Sequence, residues 1–335
     1  MINKLLKPRF PTSALGIEKG AVSVVQLERG RGGFVIKRAA AINLPPDSVR
    51  PSFAENNLAE PSELVEAVSD LVTSAGLLRQ RKWSVALPEA TARTAVLTVE
   101  GAAGSRRELE EVLGWKIERT FGAPLAELRL AREQLAPNAQ SQARYLVTAV
   151  RLSVLAEYEE VFAALGWQAG LVLPRHAGEE QWLRNGGHQG DGLLLTAHDE
   201  GFTAVLMRDN RPLTLRSVLC EPAECDDELH RVLLFYRERS GSNSKDVARS
   251  VDRLLVLGDS QDKKRVAEVT QETLGVNLKP LNAQDVGLAI PGRDIDFDVI
   301  AAPPCDHEAG CKNRCVGAEA IDDQAAHDAV PGRDI

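Results

Sequence analysis

The sequence has no run of about 18 apolar residues, so nothing in it reads as a helix able to span a bilayer. Its start, "MINKLLKPRFPTS", lacks the apolar core of a signal peptide, and a cytoplasmic protein is expected. No window carries a long Lys/Arg run and the formal net charge is -8, which argues against nucleic acid as a partner. Cysteine is scarce. The five present, Cys220, Cys225, Cys305, Cys311 and Cys315, are an odd number without a secretory framework and read as reduced thiols. No GxSxG, Walker A or HExxH pattern occurs, and His176, His188, His198 and His230 show no partner spacing, so no catalytic residue is assigned.

What is present is an ordinary globular composition, 44% hydrophobic and 26% charged, over 335 residues, enough for about two core-bearing units of roughly 150 residues each. Residues 14 to 44 read as strands in which Val22, Val24 and Leu27 are apolar, with the glycines of "RGRGG" supplying turn positions. A helix follows at about 62 to 76, with Pro61 at its start and Leu64, Val65, Val68, Leu71 and Val72 on one stripe. "KWSVALP" and "TARTAVLTVEG" alternate as strands. Ser105 with Glu108 three positions on forms a capping box, opening a helix whose Leu109, Val112, Leu113, Ile117 and Phe121 share a face.

"RYLVTAVRL" reads as a strand, residues 152 to 166 as a helix, and "WQAGLVLP" as a strand, making the middle block a small α+β unit. "DGLLLTAHDEGFTAVLMRDNRPLTLRSV" then repeats the hairpin design of residues 14 to 44, which points to a duplicated architecture. Helices at about 226 to 239 and 260 to 275 and the strand "DRLLVLG" follow. Beyond about residue 290 the periodicity fails, although "AIPGRDI" at 289 to 295 returns as "AVPGRDI" at 329 to 335.

The order of elements, the stretch "SRRELEEVLGWKIERTFGAPLAEL" at 105 to 128, "INLPPDSV" and "AALGWQAGLVLP" resemble the PilM family of type IV pilus assembly proteins. That family is related to the division protein FtsA, to MshI and to the cytoplasmic part of GspL. The resemblance covers roughly residues 14 to 290. It implies an actin-like ATPase fold: two duplicated α/β subdomains, a small inserted α+β domain and, here, a reduced fourth subdomain. The expected organisation is a flexible N-terminus at 1 to 13, a first actin-like core subdomain at 14 to 89, the insert at 90 to 175, a second core subdomain at 176 to 290 and a disordered tail at 291 to 335.

The resemblance also locates a vestigial nucleotide site. In the first phosphate loop the family's Asp and following hydroxyls are represented by Glu18, Lys19, Gly20, Ala21 and Val22, with Ser23 the one hydroxyl left. In the second loop the Asp and Gly fall on Thr196 and His198, and the adenosine-contacting Gly-Gly on Gly258 and Asp259. Loss of such phosphate-cradling and magnesium-ordering groups costs on the order of several kcal/mol. The chain also has only a few residues where the family's lid would stand, so an open cleft would leave a nucleotide poorly desolvated. No cofactor is therefore expected, and the chain reads as a scaffold rather than an enzyme. The alternative is an active ATPase with an atypical ATP/Mg site in which Glu18 replaces the aspartate; a sugar-kinase relative is disfavoured for want of a sugar-handling Asp.

The partner implied is a PilN-like inner-membrane protein, whose short N-terminal peptide would add to a strand edge and tie the chain peripherally to that membrane. Trp83, Val85, Leu97, Val99 and Leu146 are the candidate groove residues. Homo-oligomerisation stays open. The Cys305, His307, Cys311 and Cys315 set has no pairing into two close doublets, and free thiols in a solvated tail are preferred to zinc. Trp115, Trp167 and Trp182 read as packing anchors.

Overall fold

The computed structural model describes residues 11–30, 33–100, 105–138, 140–185, 190–241, 251–258 and 261–289. The expected tail, with its cysteines and His307, and also His188 and Asp259, lie outside the described residues.

Three strands open the chain as an antiparallel meander: β1 (Ser13–Ile17), β2 (Ala21–Arg29) and β3 (Phe34–Asn43). Alternation decides β1, since Ser13, Leu15 and Ile17 are buried while Ala14 and Gly16 are less so. β4 (Lys82–Leu87) then pairs parallel to β1, β8 (Gln168–Pro174) pairs parallel to β4, and β13 (Leu288–Ala289) closes the other edge against β3. The sheet runs β13-β3-β2-β1-β4-β8. Residues 11 to 13, expected in the flexible terminus, are tied in: the Pro11 carbonyl accepts from the Ser84 hydroxyl and the Thr12 carbonyl from the Leu27 amide.

The second sheet repeats the first. β9 (Asp191–His198), β10 (Gly201–Arg208) and β11 (Arg211–Leu219) form a meander, and β12 (Val251–Leu257) pairs parallel to β9, giving the order β11-β10-β9-β12. That is the β3-β2-β1-β4 arrangement over again. The β10–β11 turn places Asp209 and Asn210 at φ 48° and 61°, the left-handed pair that a two-residue hairpin matching the strand twist requires. β9 is buried on both faces, and its leucines divide between two cores. Leu193 and Leu195 face α5 (Cys225–Gly241) and α6 (Lys263–Leu274), whereas Leu194 faces the first sheet. Each such leucine contributes about 1.5–3 kcal/mol of burial.

The insert is the three-stranded sheet β5-β7-β6, built from β5 (Arg93–Val99), β6 (Leu128–Leu135) and β7 (Ala143–Arg151), and covered by α2 (Arg106–Phe121). The Ser105 hydroxyl accepts from the Glu108 amide at 3.2 Å and Gly122, at φ 70°, ends the helix. α1 (Pro61–Ser74) and α3 (Leu152–Ala164) pack together on the first sheet. So α3 and β8, expected within the insert, belong to the first half instead. Val154, Leu155, Tyr158 and Phe162 join Leu64 and Val68 in one core, because the α3 stripe matches the α1 stripe and not the narrow insert sheet. α4 (Arg175–Asn185), which the sequence reading did not resolve, bridges the halves by seating Leu183 among Ile36, Leu194 and Leu255. Only residues 220 to 224 separate β11 from α5, so no lid subdomain stands there.

Candidate functional site

The two meander turns face one another across a cleft. The β1–β2 turn brings Glu18 and Lys19, the loop after β4 brings Pro88 and Glu89, the β9–β10 turn brings His198, Asp199 and Glu200, and the start of α4 brings Arg175. Arg175 is 8% exposed and lies between the halves. Its Nη1 donates to Glu18 Oε1 at 2.7 Å and its Nε to Glu179 Oε1 at 2.6 Å. Glu179 accepts in turn from the Thr196 hydroxyl. Burial works against the guanidinium charge, but Glu179 and Glu18 outweigh it and raise the group further, so Arg175 is a fixed cation. Its Nη2 has no hydrogen-bond partner among the described residues, and the cavity Arg175 helps to line is about 30 Å³, the room of about one water.

One layer beneath, Glu89 pairs with the His176 ring, and its second oxygen accepts from the His176 amide at 3.2 Å. Burial alone would raise the Glu89 carboxyl, but the charge and hydrogen bonds of His176, with the Thr203 hydroxyl, hold it at about 2. Burial likewise disfavours the His176 cation, yet Glu89, then Glu180 and Glu179, raise it above the ordinary value. Burial keeps His198 below that value, with Glu89 opposing and Arg175 assisting.

Of the five residues assigned to the nucleotide site, the structure brings Glu18 alone to the cleft. Gly20 sits in the β1–β2 turn with open space where a Cβ would stand, so nothing there demands glycine. Ser23 lies on β2 opposite Gly16. Thr196 is wholly buried beneath the cleft and reaches it only through Glu179. Gly258 does need its glycine, since at φ 92° a Cβ would stand 2.4 Å from the Ala197 carbonyl oxygen. Arg175 and Glu89, which line the cleft, and Glu179 and His176, which pair with them, were not expected. The available signal was the i,i+4 spacing of Arg175 with Glu179 and of Glu180 with Arg184, which marks a charged helix turn.

A second concavity, of about 1430 Å³, runs between β5 and β11. Each is the edge strand of its sheet, so two rows of backbone donors and acceptors face this groove. Arg93 stacks over Phe53 at 4.5 Å at the first-half side, Arg216 over Phe235 at 5.2 Å at the far side, and the Arg144 guanidinium ties the walls by donating to the Leu213 carbonyl at 2.5 Å. Val96 and Leu213 add apolar lining.

The expected groove set is corrected in part. Trp83 is 0% exposed with its ring centroid 5.3 Å from that of Trp167, and Val85 shares that core, because β4 is an interior strand and both side chains lie on its face toward α1 and α3. Val99 is buried against α2. Leu97 touches the groove but turns its side chain into the same insert core, and Leu146, half-buried, pairs across from Val96. Trp115 is no packing anchor: it is 56% exposed on α2, with the Arg119 guanidinium 5.3 Å from its ring.

No protein-family model matches the sequence, and no curated protein matches it either. Among solved structures, one described as a PilM–PilN type IV pilus biogenesis complex is similar over 84% of this chain and 91% of that chain, at 22% identity and TM-score 0.66. The cytoplasmic domain of EpsL, an inner membrane component of the type II secretion system of Vibrio cholerae, aligns over 87% and 98% of the two chains at 10% identity and TM-score 0.42. A Bacteroides thetaiotaomicron protein with an actin-like ATPase fold aligns over 87% and 95% at 9% identity and TM-score 0.41. With its duplicated strand order and its α+β insert, the chain has the actin-like fold and is similar in it to the chain solved in the PilM–PilN complex.

Proposed function

We propose that the chain is a scaffold of a pilus- or secretion-assembly machine and that the groove along β5 holds an extended peptide of a PilN-like inner-membrane partner. The groove carries this reading: β5 and β11 are each the edge strand of its sheet, and a concavity of about 1430 Å³ runs along them. The likeness to the PilM–PilN complex supports the kind of partner. Such a peptide would gain backbone hydrogen bonds from β5 and side-chain contacts from Val96, Leu213 and the two Arg–aromatic stacks. No helix among the described residues is long and apolar enough to cross a membrane, so attachment to one would come through the partner.

The same reading makes the cleft a structural junction rather than an ATPase centre. A nucleotide needs a site of a few hundred Å³, and the space here is about 30 Å³. Glu18, the carboxylate that could order magnesium, is held by Arg175 instead. Glu89, Asp199 and Glu200 around it would repel phosphate.

Calorimetry with a synthetic PilN-like N-terminal peptide should give saturable binding, weakened at least tenfold in Val96→Glu, whose side chain lies on the sheet face away from α2. Absence of binding to the unaltered chain would overturn the scaffold reading. Titration with magnesium ATP should give no saturation below millimolar; micromolar binding lost in Glu18→Ala would restore the ATPase reading.

A further inference from the structure

Outside the cleft and the groove, two thiols stand together. Cys220 follows the last residue of β11 and Cys225 opens α5. The one-turn 3-10 segment Pro222–Glu224 folds the chain back between them, fixed by the Glu224 amide donating to the Glu221 carbonyl at 2.9 Å. Their sulfurs are 2.8 Å apart, closer than two unbonded sulfurs rest. The pair is asymmetric: Cys225 is 3% exposed and Cys220 half-buried. One sulfur is approachable and the other is shielded directly behind it.

The surroundings give the pair a mechanical connection. The Cys220 amide donates to the Glu200 carbonyl at 3.0 Å, and Glu200 belongs to the β9–β10 turn that lines the cleft. Leu219, next to Cys220, lines the groove. The thiols therefore sit where β11 leaves the groove and where the second turn is anchored.

We propose that Cys220 and Cys225 are a redox modification site, closing reversibly to an intrachain disulfide by exchange with a small-molecule disulfide of the glutathione class. Cys220 gives up its proton and its thiolate attacks one sulfur of the oxidised reagent, breaking that S–S bond and releasing one reagent thiolate. Cys225, deprotonated in turn, attacks the Cys220 sulfur of the mixed disulfide and expels the second reagent thiolate. The protein pair loses two protons and two electrons, and the reagent disulfide gains them as two thiols. Burial, then Cys225, Glu228 and Glu224, push the Cys220 thiol up to about 12, so closure depends on the proximity of the two sulfurs and not on a standing thiolate.

The test uses the full chain carrying Cys305→Ser, Cys311→Ser and Cys315→Ser, equilibrated with oxidised glutathione and then assayed for thiols after denaturation. Both remaining thiols should disappear with the chain still monomeric on a non-reducing gel, and dithiothreitol should restore them. Adding Cys225→Ser should stop the reaction at a glutathione adduct on Cys220, and adding Cys220→Ser should leave Cys225 largely unmodified. Two persistent thiols, a stable adduct at Cys220 with Cys225 present, or disulfide-linked dimers would each overturn the assignment.

Discussion

Glu89 and His176 pair where almost no water reaches, and the pair makes stability depend on pH in a definite direction. Glu89, lowered from its ordinary 4.5 to about 2, contributes fully above about pH 4.5 and loses its contribution as pH falls toward 2. His176, raised above its ordinary 6.5, contributes fully below about pH 6.5 and loses its contribution as pH rises through the raised value. The contribution of the pair is therefore greatest between about pH 4.5 and 6.5. Thermal denaturation across pH 5 to 9 should show the melting temperature falling at the alkaline end, and His176→Gln should flatten that fall. Arg175 behaves differently because it never titrates. Arg175→Ala leaves Glu179 and Glu18 without their cation and should cost about 3 kcal/mol in urea unfolding, even though it empties the cleft. Neither arrangement could be counted out along the chain, since Glu89 lies 87 positions from His176 and Glu18 157 from Arg175. What the family resemblance points to is Glu18 at the first turn; its partner is set by tertiary folding.

The elements differ in how plainly the residues announce them. α2 declares both ends, with Ser105 capping one and Gly122 stopping the other, and Ser105→Ala should cost about 1 kcal/mol of stability by chemical denaturation. β9 was legible as a strand from its apolar run, and the β10–β11 turn from Asp209-Asn210. α4 was not. Its "RHAGEEQWLRN" offers only Trp182 and Leu183 as large apolar residues, so no stripe at helical spacing marks it. It folds because Leu183 is buried between sheets while Arg175 pairs with Glu18 and His176 with Glu89 on other elements, contacts that no local pattern encodes. The groove was misjudged for a related reason. Alternation reveals that β4 and β5 are strands, yet only the sheet order shows that β4 is interior and β5 is an edge.

At the scale of the molecule, the two sheets do not meet only at the cleft. Ile36 from the first sheet, Leu194, Val205 and Leu255 from the second, and Leu183 of α4 form one core across the halves. The two halves should consequently unfold together in one calorimetric transition. Leu183→Ala should lower that transition as a whole, by about 2–5 kcal/mol, rather than split it. The insert stands apart from this shared core, carrying its own cluster around Phe121 and Val147. Trp115 projects from it on the outer side of α2, while Trp83 and Trp167 are buried and Trp182 is partly covered. The protein thus carries a built-in optical reporter: iodide should quench chiefly the Trp115 emission, so anything that settles on the outer face of the insert will announce itself as light the quencher can no longer extinguish.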